Sequence, residues 1–227
     1  TPTPGASIHY TSNGQEPTAA DSSVASGGVI VVDRALVLKV RAMKAGVLPS
    51  ATARAQYMIT GAVSFGTNFT LFLKADGTVW SAGLNDKGQL GVGSTTQKIV
   101  PTQIVENASF NSVKAVEAGD DFSLFLKEDG TVWASGAAAI NGTGTNVTSP
   151  VQITAITVPI VKIAAGKDHA LALDGTGRVW TWGNNIYGQL GTGNKTARTS
   201  PCNPSVTPCQ PNLGSIVGVA GGTRHTL

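Results

Sequence analysis

The chain has 227 residues, of which 41% are hydrophobic and only 13% charged, with a formal net charge of +3. A typical globular protein is nearer 25% charged. There is no clustered Lys/Arg footprint, which argues against nucleic acid as a partner, and no apolar run approaches the roughly 20 residues of a membrane helix. The 28 glycines, with abundant Thr and Ser, suit an all-β protein rich in tight turns.

Residues 1–60 read as strands. Ile8 and Tyr10 alternate with His9 and Thr11, and Leu36, Leu38, Val40 and Ala42 alternate with Val37, Lys39, Arg41 and Met43. Ala53, Ala55, Tyr57 and Ile59 alternate with Thr52, Arg54, Gln56 and Met58. Such period-two patterning describes half-buried strands of a β-sandwich. Asn13-Gly14 and Pro17 mark one turn, and Lys44-Ala45-Gly46 with Pro49 another. By alternation His9 faces outward.

The run Thr3-Pro4-Gly5-Ala6-Ser7-Ile8-His9-Tyr10-Thr11, then Asn13-Gly14, Glu16-Pro17-Thr18, Leu38-Lys39-Val40-Arg41-Ala42 and Lys44-Ala45-Gly46, carries a resemblance. It resembles the small immunoglobulin-like module named after the C-terminal domain of chitobiase/β-hexosaminidase. The resemblance covers about residues 1–60 and lacks the family's opening strand. It implies a truncated Ig-like β-sandwich, a spacer or accessory domain of secreted bacterial proteins, with no catalytic residue.

Residues 61–227 repeat. Phe69-Thr70-Leu71-Phe72-Leu73-Lys74-Ala75-Asp76-Gly77-Thr78-Val79-Trp80 returns as Phe122-Ser123-Leu124-Phe125-Leu126-Lys127-Glu128-Asp129-Gly130-Thr131-Val132-Trp133. A looser copy spans His169 to Trp180, and a fourth begins at Gly222-Thr223-Arg224-His225. The leading glycines Gly66, Gly119, Gly166 and Gly222 are 53, 47 and 56 residues apart. Each unit reads as four short strands, at about 101–105, 113–118, 122–127 and 131–136 in the second. Asp76-Gly77 and Asp129-Gly130 predict type I′ hairpins, and Gly175-Thr176-Gly177 a longer turn. One such sheet cannot bury both faces alone, so the sheets are expected to stack radially as blades of a partial β-propeller, about three blades and the start of a fourth.

Gly119-x-x-Phe122-Ser123-Leu124, Gly166-x-x-His169-Ala170-Leu171, the Asp-Gly-Thr-Val-Trp segments and the Gly88-Gln89-Leu90-Gly91 and Gly188-Gln189-Leu190-Gly191 turns resemble repeats of the regulator of chromosome condensation family. The second copy departs from the pattern: Ser135-Gly136-Ala137-Ala138-Ala139-Ile140-Asn141-Gly142 lacks the Gln-Leu turn, so its loop is expected to pack differently. The resemblance implies a ring of about seven blades, hence further blades in a parent chain. In the family's founding eukaryotic member it implies guanine-nucleotide exchange on a Ran-type GTPase.

The repeats also weigh candidate sites. His169 and His225 occupy the position of Phe69 and Phe122, and a metal ligand or general base would not be exchanged for Phe between copies. An aromatic packing role fits all four. Trp80, Trp133 and Trp180 share one position and read as blade core, while Trp182 is extra and is expected to be more exposed. Asp120-Asp121 read as solvated turn residues. No metal, cofactor or catalytic site is expected, and the chain reads as non-enzymatic. Cys202 and Cys209 flank a Pro-rich loop; a disulfide is the preferred reading and two free thiols the alternative. With the spacer module, this points to a secreted or cell-surface bacterial protein. Its expected function is adhesion or interaction with a protein or carbohydrate ligand through the loops 84–98, 137–149, 184–200 and 202–209. The alternatives are an accessory region of a carbohydrate-active enzyme and, third, nucleotide exchange on a small GTPase.

Overall fold

A computed structural model describes residues 5–25, 27–30, 36–57, 62–105, 110–202 and 216–227. The chain divides into two compact units, Thr1–Thr60 and Gly61–Leu227.

In the first unit, β1 (Ser7–Thr11), β2 (Ser23–Ala25), β3 (Leu36–Met43) and β4 (Ala53–Tyr57) form one antiparallel sheet in the order β2-β1-β3-β4. Among the described residues this is a single sheet, not the two facing sheets of the expected sandwich. Its thin core explains the difference: Leu38 is the one large apolar side chain buried there among the described residues. Local polar contacts compensate in part. Asn13 Oδ1 accepts the Gln15 amide, and Thr11 Oγ1 donates to the Gln15 carbonyl. His9 is half-buried, with one ring nitrogen 2.9 Å from Ser7 Oγ and the other 3.1 Å from the Asp21 carbonyl.

Among its described residues the second unit holds three four-stranded antiparallel sheets. The first contains β5 (Val63–Phe65), β6 (Phe69–Leu73), β7 (Val79–Gly83) and β8 (Lys98–Gln103). The second contains β9 (Val113–Ala118), β10 (Phe122–Lys127), β11 (Val132–Gly136) and β12 (Val147–Gln152), with a short helix, α1 (Ala138–Asn141), before β12. The third contains β13 (Ile160–Ala165), β14 (His169–Asp174), β15 (Val179–Gly183) and β16 (Arg198–Cys202). Residues 216–227 start a fourth unit, where the Ala220 and Leu227 backbones exchange two hydrogen bonds of 2.8 and 2.9 Å. The strand expected at 101–105 does not open the second sheet. It is β8, and Trp80 pairs with Gln103 on the outer edge of the first sheet.

The three cores lie between blades, where one blade's apolar face meets the next. Leu71, Val79, Leu90 and Ile104 pack with Val113, Val116, Phe125 and Trp133. Leu124, Leu126, Val132 and Ile140 pack with Ile163, Ala172, Trp180 and Trp182. Ala164, Leu171 and Leu173 meet Val219 of the fourth unit.

The hairpins differ from the expected type I′, which needs positive φ at both central residues. Only the glycine is left-handed, Gly77 at φ 82° and Gly130 at φ 82°. The five-residue connections 74–78 and 127–131 recur unlengthened as 174–178, each closed by the glycine amide donating back three residues. The aspartates serve the tryptophans. Asp76 Oδ1 accepts from the amide and hydroxyl of Thr78, and the Thr78 hydroxyl accepts the Trp80 indole N–H at 3.3 Å. Asp129, Thr131 and Trp133 repeat the arrangement, with the indole bond at 3.0 Å. The third copy moves the carboxylate two residues upstream, and Asp174 binds Thr176 and the Trp180 indole directly.

Candidate functional site

The connections from each inner strand to the next, at 66–68, 119–121, 166–168 and 222–224, come together at one end of the unit. They border an open depression of about 490 Å³ lined by Gly66, Gly119, Asp120, Gly166, Lys167 and Gly222, among others. Backbone bonds tie them blade to blade: the Asp120 amide donates to the Lys167 carbonyl at 2.8 Å and the Lys167 amide to the Gly222 carbonyl at 3.3 Å. The loops 84–97, 137–146 and 184–197 flank the same end. Their first residues, Leu84, Ala137 and Asn184, donate to Asn68, Asp121 and Asp168 carbonyls.

Glycine followed three residues later by a ring builds each of these turns. A Cβ on Gly119 would lie 2.0 Å from the Phe122 ring, on Gly166 2.0 Å from the His169 ring, on Gly66 2.3 Å from Phe69 and on Gly222 2.4 Å from His225. The ring thus lies across the glycine, where no side chain fits. Phe69, Phe122 and His169 are buried, whereas His225 is exposed at the edge of the fourth unit. Trp133 and Trp180 are buried and Trp80 half-buried.

His169 is fully buried, and its Nε2 lies 3.1 Å from Thr226 Oγ1. The Thr226 hydroxyl proton goes to the Gln189 carbonyl at 2.7 Å. Nε2 must therefore carry the hydrogen, leaving Nδ1 a buried lone pair with no hydrogen-bond partner. Burial holds the imidazole below its ordinary value of 6.5; the nearby His225 backbone opposes this and the His225 ring adds to it. The folded state then disfavours the proton that the unfolded chain accepts. The resulting stability is complete above the unfolded value and is lost as pH falls from about 6.5 toward the lower folded value. His169→Phe, which copies Phe122, should be about as stable as the parent at pH 7.5 and more stable at pH 5. Urea midpoints at the two pH values test this.

Acidic groups concentrate on the same end. Asp120 and Asp121 are half-buried, not the solvated turn residues expected, because radial convergence sets their turns against those of the next blade. Burial, then Asp120 and Asp86, push the Asp121 carboxyl above its ordinary value, with Lys87 opposing and Asp168 adding. Burial likewise raises Asp168, with Lys167 opposing and Asp120 adding. Lys167 lies 3.6 Å from Asp120. Beside them, Ile186 and Tyr187 are 55% and 52% exposed, and the Arg224 guanidinium stacks 4.7 Å from the Tyr187 ring centre. Among the described residues no group of His, Cys, Asp or Glu is placed to hold a metal ion, and no helix is long and apolar enough to cross a membrane.

The Gln-Leu turns join neighbouring blades. Asn85 braces the first, its Oδ1 accepting the Leu90 amide and its Nδ2 donating to the Ser94 and Thr96 carbonyls. The Gln89 carbonyl then accepts Ser123 Oγ at 2.6 Å and Ser135 Oγ at 3.2 Å from the second blade. The second blade lacks this turn, and α1 stands in for it. The Trp182 indole of the third blade donates to the Ile140 carbonyl at 2.8 Å. Trp182, the extra tryptophan of the sequence, is therefore fully buried, not more exposed as expected, and joins two blades. Of the expected binding loops, 84–98, 137–149 and 184–200 are in large part blade-to-blade connectors. Cys202 is buried at the end of β16; Cys209 lies outside the described residues, and its pairing with it.

Two family models, each described as a regulator of chromosome condensation (RCC1) repeat, match this chain. One covers residues 62–89 and 160–189, the other 76–126 and 176–227. Neither reaches residues 1–60. The chain is 35% identical over 127 residues to Protein RCC2 homolog of Danio rerio, across 54% of this chain and 26% of that protein. It is 34% identical over 164 residues to the E3 ubiquitin-protein ligase HERC2 of Homo sapiens, across 70% of this chain and 3% of that one. The solved structure of Prp20p from Saccharomyces cerevisiae superposes with a TM-score of 0.61 at 18% identity, covering 85% of this chain and 53% of that one. The chain thus spans about half of that structure, and a likeness at this identity shows the fold. These relatives are eukaryotic, and they overturn the reading of a secreted or cell-surface bacterial adhesion region. The inference of compartment had rested on a short N-terminal resemblance and two cysteines. The repeats at 61–227 are those of the regulator of chromosome condensation, and the chain belongs to that repeat family.

Proposed function

We propose that residues 61–227 are the docking part of a propeller that binds a protein partner at the end formed by the 119–121 and 166–168 turns. The partner class is a Ran-type small GTPase, on which the propeller promotes guanine-nucleotide exchange. Prp20p, which shares the fold, is described for its binding to Gsp1p and histones. The observation that carries the reading is the incompletely neutralised charge at Asp121 and Asp168. Burial raises both carboxyls and Asp120 adds to each, against Lys87 at Asp121 and Lys167 at Asp168, so a further cationic group from a partner would relieve them. Exposed Tyr187 with Arg224 adds the side-chain types that dominate protein interfaces. The chain does no covalent chemistry in this reading and is not an enzyme in that sense. For residues 1–60 we propose a separate spacer, on the sequence resemblance to the chitobiase-type module.

Release of a fluorescent GDP analogue from a Ran-type GTPase tests the function. The chain should accelerate release, and Asp121→Asn with Asp168→Asn should lower that acceleration about tenfold or more. Release at the spontaneous rate with the folded chain present would refute the exchange reading.

A further inference from the structure

The two Gln-Leu turns of this chain are received by the next unit in one way. At the second blade Ser123 donates to the Gln89 carbonyl, and at the fourth unit Thr226 donates to the Gln189 carbonyl. Both hydroxyls sit one residue after the ring that covers the leading glycine. The third blade follows α1 instead of a Gln-Leu turn. It has Ala170 at that position, and Trp182, paired across from Ala170, reaches the helix. Hydroxyl and turn therefore go together within one chain, as do their replacements. The donor side obeys the same rule: Ser81 and Thr181 bond the Leu90 and Leu190 carbonyls of their own turns, and Ala134 stands at this place in the blade that has none.

The first blade carries the hydroxyl. Thr70 pairs with Ala82 as Ser123 pairs with Ser135. In the second blade this place is full: the Gly93 amide donates to Thr148, and a Cβ on Gly88 would meet the Val147 carbonyl at 2.5 Å. In the first blade the same place is an open cavity of about 540 Å³ bounded by Phe65, Thr70, Ala82, Gly83, Lys98 and Ile99. Phe65 and Ile99 are 74% and 89% exposed on its rim.

We infer that this cavity is the seat for a Gly-Gln-Leu-Gly turn of a further repeat, with Thr70 donating to its glutamine carbonyl and selecting it over a helical connector. The chain's own two turns are not the occupant, since the Gln89 and Gln189 carbonyls are already bonded by Ser123 and Thr226. The occupant is thus a repeat of the same family that presents a free turn of this type, and the seat specifies which blade stands before the first.

The probe is a synthetic peptide of residues 84–94, which keeps the bracing Asn85, titrated into the isotope-labelled chain to millimolar concentration. Backbone resonances of Thr70, Ala82, Gly83 and Lys98 should shift. Thr70→Ser should bind as the parent does, and Thr70→Val about fivefold more weakly, the effect of one neutral hydrogen bond. A peptide of residues 136–146 should leave those resonances unmoved. Equal binding by Thr70→Val, equal binding of the second peptide, or no shift at these four residues would overturn the inference. So would self-association of the chain through this face in sedimentation.

Discussion

Trp182→Ala should destabilise the propeller unit by about 3–5 kcal/mol, the upper range for truncating a buried aromatic. The side chain is fully buried in the core shared by the second and third blades. It packs by Ile140, and its N–H is the polar link to α1 at 2.8 Å. Truncation therefore opens a cavity at a joint between blades, where two rigid sheets cannot easily collapse into it. Trp182→Phe is the milder change. It keeps a smaller ring in place and removes the donor to a buried carbonyl with part of the indole volume, so about 1–3 kcal/mol is expected. Urea denaturation with an unchanged slope would report both values. A loss under about 1 kcal/mol for Trp182→Ala would mean that α1 is not seated on the third blade.

Gly119→Ala should cost about 2–3 kcal/mol although its backbone is ordinary for an L-residue. The added methyl would lie 2.0, 2.4 and 2.6 Å from three atoms of the Phe122 ring. That ring is 1% exposed and enclosed, so it must leave its rotamer or push the backbone. The same clash explains why the leading glycine and the ring three residues on recur together in all four copies. In a Phe122→Ala background, itself costly, the added methyl meets no ring, and Gly119→Ala should then cost about 2 kcal/mol less. The double-mutant cycle should show coupling of about 2 kcal/mol. Equal costs in both backgrounds would show that the ring does not lie over the glycine.

Much of the fold could be read from local pattern. The alternation in Phe69–Leu73 and Phe122–Lys127, and the fixed interval from glycine to ring to tryptophan, specify strands and a repeated unit. The partition into blades could not be read so directly. The inner strand β5 is only three residues long, and β8 mixes polar and apolar residues and buries none of them, so neither carries a strong periodic signal. The hairpin type was misjudged because Asp-Gly was taken to supply two positive φ values, whereas Asp76 and Asp129 are spent on Thr78 and Thr131. The role of Trp182 did have a signal. Ala134, Ala170, Trp182 and the missing Gln-Leu turn change together across one joint.

The candidate site was harder to see, for a physical reason. Asp86, Asp120 and Asp168 are far apart in sequence, each in an ordinary-looking turn, and only radial stacking brings them around one end. No local pattern encodes that convergence. Compartment was inferred from the N-terminal resemblance and two cysteines, neither of which reports on how the turns converge.

In the proposed function this chain engages a protein partner through the end of the propeller where the 119–121 and 166–168 turns meet. Hydrogen exchange of the chain, with and without a nucleotide-free Ran-type GTPase, tests it most directly. Slowed exchange is predicted for backbone amides at 119–121, 166–168 and 184–188, with the hairpins 127–131 and 174–178 at the opposite end unchanged. Protection confined to those hairpins, or none anywhere at saturating GTPase, would contradict the account.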